Sequence, residues 1–150
     1  MSFHEYNPLQ ETIHRIMDQG GFVNAHSHLD RAYTVTPQAF SKINDHLFTK
    51  WDFVDEVKRA SSIDNYKDRV STALKNQTFL RTQAICSFID VDPICAYNAY
   101  VGSRLAAQEQ TEIKTVLACQ TLKGVLKKKP RSILEDIVEE IDIIGSLPGA

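Results

Sequence analysis

Gly21-Phe22-Val23-Asn24-Ala25-His26-Ser27-His28-Leu29-Asp30 leaves a glycine pair, enters a short apolar stretch and ends on two histidines. Phe22 to Ala25 reads as a strand. Residues two apart in a strand project to the same side, so His26 and His28 point together if the extended conformation reaches them. Imidazole is a good ligand for both zinc and iron. Two imidazoles at the carboxyl end of an apolar strand stand where (β/α)₈ barrels keep their catalytic groups. A divalent ion held there would acidify a bound water. A bare His-x-His is a weak signal, and histidines in loops are common. The flanking residues raise it: Asn24 and Asp30 bracket the pair, and Asp30 could orient a ligand imidazole through its outer nitrogen.

Outward from this stretch the chain alternates short apolar runs with amphipathic ones. Residues 9–19 read as a lead helix with Leu9, Ile13 and Ile16 on one face, ended by Gly20-Gly21. Residues 37–60 contain helical material, with Phe40, Ile43 and Leu47 at helical spacing. Ser61-x-x-Asp64 looks like a capping box opening a helix that carries Ile63, Tyr66, Val70, Ala73 and Leu74. A second strand is expected near 78–87, where β-branched and aromatic residues gather. Asp92-Pro93 reads as a helix start, with Tyr97, Tyr100, Val101, Arg104 and Leu105 following at spacings of three and four. A third strand is expected near 113–119. Ser132-x-x-Glu135 resembles another capping box, before Leu134, Ile137, Val138 and Ile141, and a fourth strand is expected near 142–146.

Strands alternating with helices predict βαβ units and a parallel sheet. The strands are nearly continuously apolar, as strands buried on both faces are. The pattern suits a doubly wound sheet or part of a (β/α)₈ barrel, and composition does not separate them. A nucleotide-binding doubly wound domain is disfavoured because no Gly-x-Gly-x-x-Gly follows a strand. The histidine pair favours the barrel.

The chain has 150 residues, enough for one domain, and its 43% hydrophobic fraction can fill a real core. A formal net charge of -2 argues against nucleic acid as a partner. The basic run Lys127-Lys128-Lys129-Pro130-Arg131 is read as a solvated loop before a helix. Cys86, Cys95 and Cys119 are odd in number and form no Cys-x-x-Cys, which fits reduced thiols in the cytoplasm better than a disulfide framework. No apolar run approaches the roughly 20 residues of a membrane span, and the N-terminus has no signal-peptide pattern.

Residues 22–30 resemble the first-strand motif of the amidohydrolase superfamily, nearest its cytosine deaminase-like metal-dependent hydrolases. Phe79-Leu80-Arg81-Thr82-Gln83 is similar to that branch's second strand, with Gln83 where a histidine is usual. Ile113 to Val125 resembles its third strand and following loop. There Gln120 matches a glutamine that contacts the substrate ring, and Cys119 replaces a proline. Residues 142–149 look like the fourth strand. The resemblance implies a partial TIM-type barrel of about four βα units, with no complete second domain. It implies His26 and His28 as ligands of zinc or iron, Gln120 on substrate, and Asp30 in support. The activity implied is hydrolytic deamination, or opening of a C–N bond, in a small cyclic amide or amidine.

The further ligands and the acid/base residues of that family have no counterpart in these 150 residues, and a full barrel needs about 250. The expectation is therefore a fragment of an enzyme, inactive alone and able to self-associate through exposed half-barrel surfaces. A non-catalytic relic, or a binding or assembly module keeping half a barrel, is the alternative. Gln120 can also be a solvent-facing loop residue. Arg81 and Gln83 are read as structural hydrogen-bonders, Cys119 as a small core hydrophobe and His4, His14 and His46 as solvated. Phe48, Trp51 and Phe53 are read as core packing rather than a lid.

Overall fold

The computed structural model describes residues 8–41 and 46–145. Four strands form one parallel sheet in the order β1-β2-β3-β4: β1 Phe22–Ser27, β2 Thr82–Asp90, β3 Lys114–Gln120 and β4 Ile143–Gly145. The helices are α1 Pro8–Asp18, α2 Pro37–Ser41, α3 Leu47–Ala60, α4 Ile63–Phe79, α5 Asn98–Glu109 and α6 Lys128–Glu135. The α/β class and the parallel sheet expected from the alternation are thus present. No helix among the described residues is long and apolar enough to cross a membrane. His4, Ile43 and residues 146–149 lie outside the described residues, as does the side chain of Phe48.

The core lies between the sheet and the helices that cross behind it. Along β2 the pleat sends Ile85, Ser87 and Ile89 to that side, in register with Thr115, Leu117 and Cys119 of β3. Helix α4 supplies Tyr66, Val70, Ala73 and Leu74, at the i, i+4, i+7, i+8 spacing that makes one face. Ile85, Leu74, Val70 and Ala73 pack with Leu29, Ala106 and Ile113, while Ile89 and Cys119 pack with Tyr66, Tyr100 and Ile133. Helices α4 and α5 come unusually close at Gly102. A Cβ there would lie 2.6 Å from the Ile63 carbonyl oxygen, so only glycine fits.

Four local expectations are corrected. The cap of α4 is Ser62, one residue later than expected: its hydroxyl accepts from the Asn65 N–H, and the Asn65 side chain accepts from the Ser62 N–H. The helix then runs to Phe79, past the start expected for the second strand. It closes through Leu80 N–H to Asn76 C=O and Arg81 N–H to Thr78 C=O, and Arg81 takes φ 63°. Aromatic and β-branched composition did not outweigh the helix end there. Asp92 caps no helix. Its Oδ1 accepts from Ile94 and Cys95 N–H, a local turn followed by Ala96 at φ 47°, and α5 begins only at Asn98. Finally, Ser132 and Glu135 lie inside α6, which starts at Lys128 with Pro130 in its first turn, so part of the basic run is helical. Glu135 pairs with Arg131 four residues earlier. Ile137 is still buried, but beyond the helix end.

Strand β1 is an edge in this sheet and is entered through Gly20 and Gly21, both at positive φ. A Cβ on Gly21 would sit 2.2 Å from the Arg81 carbonyl oxygen, which accepts the Phe22 N–H. The expected lead helix is present as α1, but it buries none of its residues, Leu9 and Ile13 included.

Candidate metal centre

The face of the sheet opposite α4 and α5 carries the histidines. Ser27 stands beside Ser87 on the helix side; the register shifts between Asn24 and Ser27, and the rings of His26 and His28 both lie against Phe88 on the other face. The two imidazole centroids are 5.2 Å apart with rings nearly perpendicular. The Phe88 ring lies 4.5 Å from that of His26 and 6.0 Å from that of His28. Both histidines sit at the carboxyl end of β1. The strand itself stops at Ser27, and His28 follows it at φ -131°, ψ 75°, yet the two rings still come together.

Nδ1 of His28 is buried with no hydrogen-bond partner. Burial holds the His28 imidazole below its ordinary pKa, helped by the nearby positive charge of Arg31. A neutral imidazole with a free ring nitrogen is the form that binds a metal. Among the described residues no group of three or more His, Cys, Asp or Glu side chains is placed to hold a metal. Two imidazoles are short of the four ligands a tetrahedral zinc takes.

Gln120 ends β3, opposite Asp90 of β2 and Gly145 of β4, and its Oε1 is buried without a partner. By the pleat it shares the open face with Phe88. Gly145 leaves room for that ring: a Cβ would approach it to 2.8 Å. Arg81 and Gln83 lie at the other, amino-terminal end of β2, where the Gln83 amide donates to the Gly21 carbonyl. They are far along the strand from the histidines and serve the strand crossing. Cys95 and Cys119 are buried, and burial pushes both thiols up to about 12, so neither is an activated nucleophile. His14 and His46 are exposed.

Asp30 is buried in the turn Leu29–Arg31, but its carboxylate faces β2: Oδ2 accepts the Asp90 N–H at 3.0 Å, and Oδ1 has no partner. Burial first, and then the charge of Asp90, raise its pKa from 3.8 to about 7. A raised carboxyl makes the folded state hold more protons between those two values, so its contribution to stability falls as pH rises through that window. Asp30→Asn keeps an oxygen for the Asp90 N–H and removes the ionisation. Urea unfolding at pH 5 and pH 8 should then show a smaller loss of stability with pH in Asp30→Asn than in the parent. Equal losses would contradict this.

A charge cluster that sequence reasoning missed stands beside the pair. Lys58 of α3 is 5% exposed and reaches Asp90 at 2.8 Å and Asp92 at 2.6 Å. Arg31 grips Asp90 through Nε at 3.0 Å and Nη2 at 2.6 Å. A small cavity of about 30 Å³, with room for water, lies between this cluster, Tyr66 and Arg69. Phe53 lines it half-buried and outside both core clusters, and Trp51 is exposed, so the core packing expected of these two aromatics is not what the structure shows. The available signal was Asp90-Val91-Asp92, two carboxylates two residues apart at the end of an apolar strand, which repeats the spacing of the histidines.

No family model matches this chain. An uncharacterized protein of Haemophilus influenzae (strain ATCC 51907 / DSM 11121 / KW20 / Rd) is 39% identical over 135 residues, which cover 89% of this chain and 49% of that relative. The chain spans about half the length of this curated relative.

Proposed function

We propose that His26 and His28 are two ligands of a divalent metal, zinc or iron, in a metal-dependent hydrolase acting on C–N bonds of small cyclic amides or amidines. The observation that carries the reading is the pair itself: two imidazoles side by side on the open face of a parallel sheet, at the carboxyl end of a strand. The strand order supports a partial (β/α)₈ barrel, because sequential parallel strands with helices on one face curl toward closure, whereas a doubly wound sheet reverses its order. The length of the relative leaves ample chain for the rest of such a barrel.

A divalent ion on the pair would supply Lewis acidity toward water near neutral pH. The chain's own residues do the rest of what the proposal needs here. Burial favours the neutral form of His28, Phe88 packs against the pair, and Gln120 would turn its amide oxygen, buried in this structure, toward the N–H of a bound ring. The acid/base groups and further ligands belong to additional polypeptide, and the thiols fit a cytoplasmic setting. Equilibrium dialysis against zinc tests the ligands. The parent should bind weakly, and binding should be lost in His26→Ala and His28→Ala. Equal zinc in all three contradicts the assignment. Turnover of a cytosine-like compound by these 150 residues alone would contradict the expected division of the site.

A second reading, an assembly module, has its own support. Ile143 and Ile144 of edge strand β4 and Val23 of edge strand β1 are exposed, which favours pairing with another copy or with the missing half of a barrel.

A further inference from the structure

The carboxyl end of β2 holds the histidine-bearing segment residue by residue. The Phe88 ring packs on His26 and flanks His28. The Ser27 hydroxyl donates to the Cys86 carbonyl, and the Leu29 N–H donates to the Ser87 hydroxyl, each at 2.9 Å. The Asp90 N–H closes on Asp30, and the Asp90 carboxylate takes the fork of Arg31. Asp90 thus engages two of the three residues of the turn that follows His28, Asp30 through its backbone and Arg31 through its side chain. It is 1% exposed. A carboxylate that deep needs cations against it, and Lys58 is the second one.

We propose that Asp90 is the positioning residue of the His26–His28 pair, and that Lys58 is the cation that allows its carboxylate to be buried against that segment. What the pair binds rests on the metal reading above; where the pair is held rests on geometry. Asp90 acts through Asp30 and Arg31. With both fixed one and two residues beyond Leu29, His28 has little freedom to turn away from His26. Groups that orient ligands indirectly typically change metal affinity by about 10- to 100-fold.

The test is NMR of the chain, with cobalt(II) titration as the second readout. The ring protons of His26 and His28 report their place beside Phe88 through ring-current shifts, and exchange of the Leu29 amide reports the turn. In Asp90→Asn the histidine shifts should collapse toward free values, the Leu29 amide should exchange faster, and cobalt affinity should fall about 10-fold or more. Lys58→Arg should retain all three. A folded Asp90→Asn with unchanged histidine signals overturns the proposal. If Asp90→Asn does not fold, Arg31→Lys, which keeps the charge and loses the fork, should show the same loss; unchanged signals there overturn it equally. Absence of a histidine-dependent cobalt band in the parent contradicts the metal reading instead, and the ring shifts still decide the positioning.

Discussion

Lys58→Met should destabilise the chain by about 3 kcal/mol, read as a fall in the urea midpoint at pH 7. Removing one partner of a buried ion pair usually costs about 3–5 kcal/mol, because the remaining charge is stranded. The low end applies because neither carboxylate is left bare. Asp90 keeps Arg31, and Asp92 keeps the N–H groups of Ile94 and Cys95. The pH dependence follows from the same contacts. Against the opposing effect of burial, Lys58 and the two N–H groups hold Asp92 below its ordinary range. Its contribution is therefore complete above the usual aspartate pKa and is lost as pH falls through the lower, folded value. Asp90 and Asp92, against the same opposing burial, hold Lys58 above its ordinary value, so its contribution is lost only as pH rises through that higher value. The penalty of Lys58→Met should accordingly persist across neutral pH and shrink in acid. Adding Asp92→Asn to Lys58→Met should recover part of the loss; a double variant no more stable than Lys58→Met would contradict the stranded-charge account.

Leu74→Ala should cost about 2–5 kcal/mol, measured in the same way. Leu74 is fully buried among Val70, Ile85, Ala106 and Ile113, the first three held by helix or sheet backbone and Ile113 just before β3, so the site collapses poorly around a smaller side chain. Gly102 already brings α4 and α5 to backbone contact, which leaves little room to close a void. A loss under about 1 kcal/mol would mean that the face of α4 is packed far more loosely.

Both effects bear on what the sequence discloses. Leu74 was legible, because Tyr66, Val70, Ala73 and Leu74 repeat with a helical period that survives any tertiary detail. The order of strands and helices was legible for the same reason; the closeness of His26 and His28 was expected from an extended backbone, but it is reached with a register shift before Ser27 and with His28 just past the strand end. Element ends were not. Ser61 and Ser62 are equivalent to a pattern, and the side chain of Asn65 decides between them. Asp92-Pro93 has the composition of a helix cap, yet the Asp92 carboxylate is spent on a turn and on a lysine 34 residues away. That lysine marks the limit of local reading. Nothing around Lys58 in sequence distinguishes it from a solvated helix residue, and only its distant partners Asp90 and Asp92 reveal its burial. Asp30 was singled out as a support for an imidazole, but its Oδ2 takes up the N–H of Asp90.

Zinc-edge X-ray absorption of the zinc-loaded chain tests the central assignment most directly. The expected result is Zn–N scattering at about 2.0–2.1 Å with the outer-shell pattern of two imidazoles, falling to one in His26→Ala and in His28→Ala. A spectrum without imidazole scattering, or one unchanged when both histidines are replaced, would contradict it.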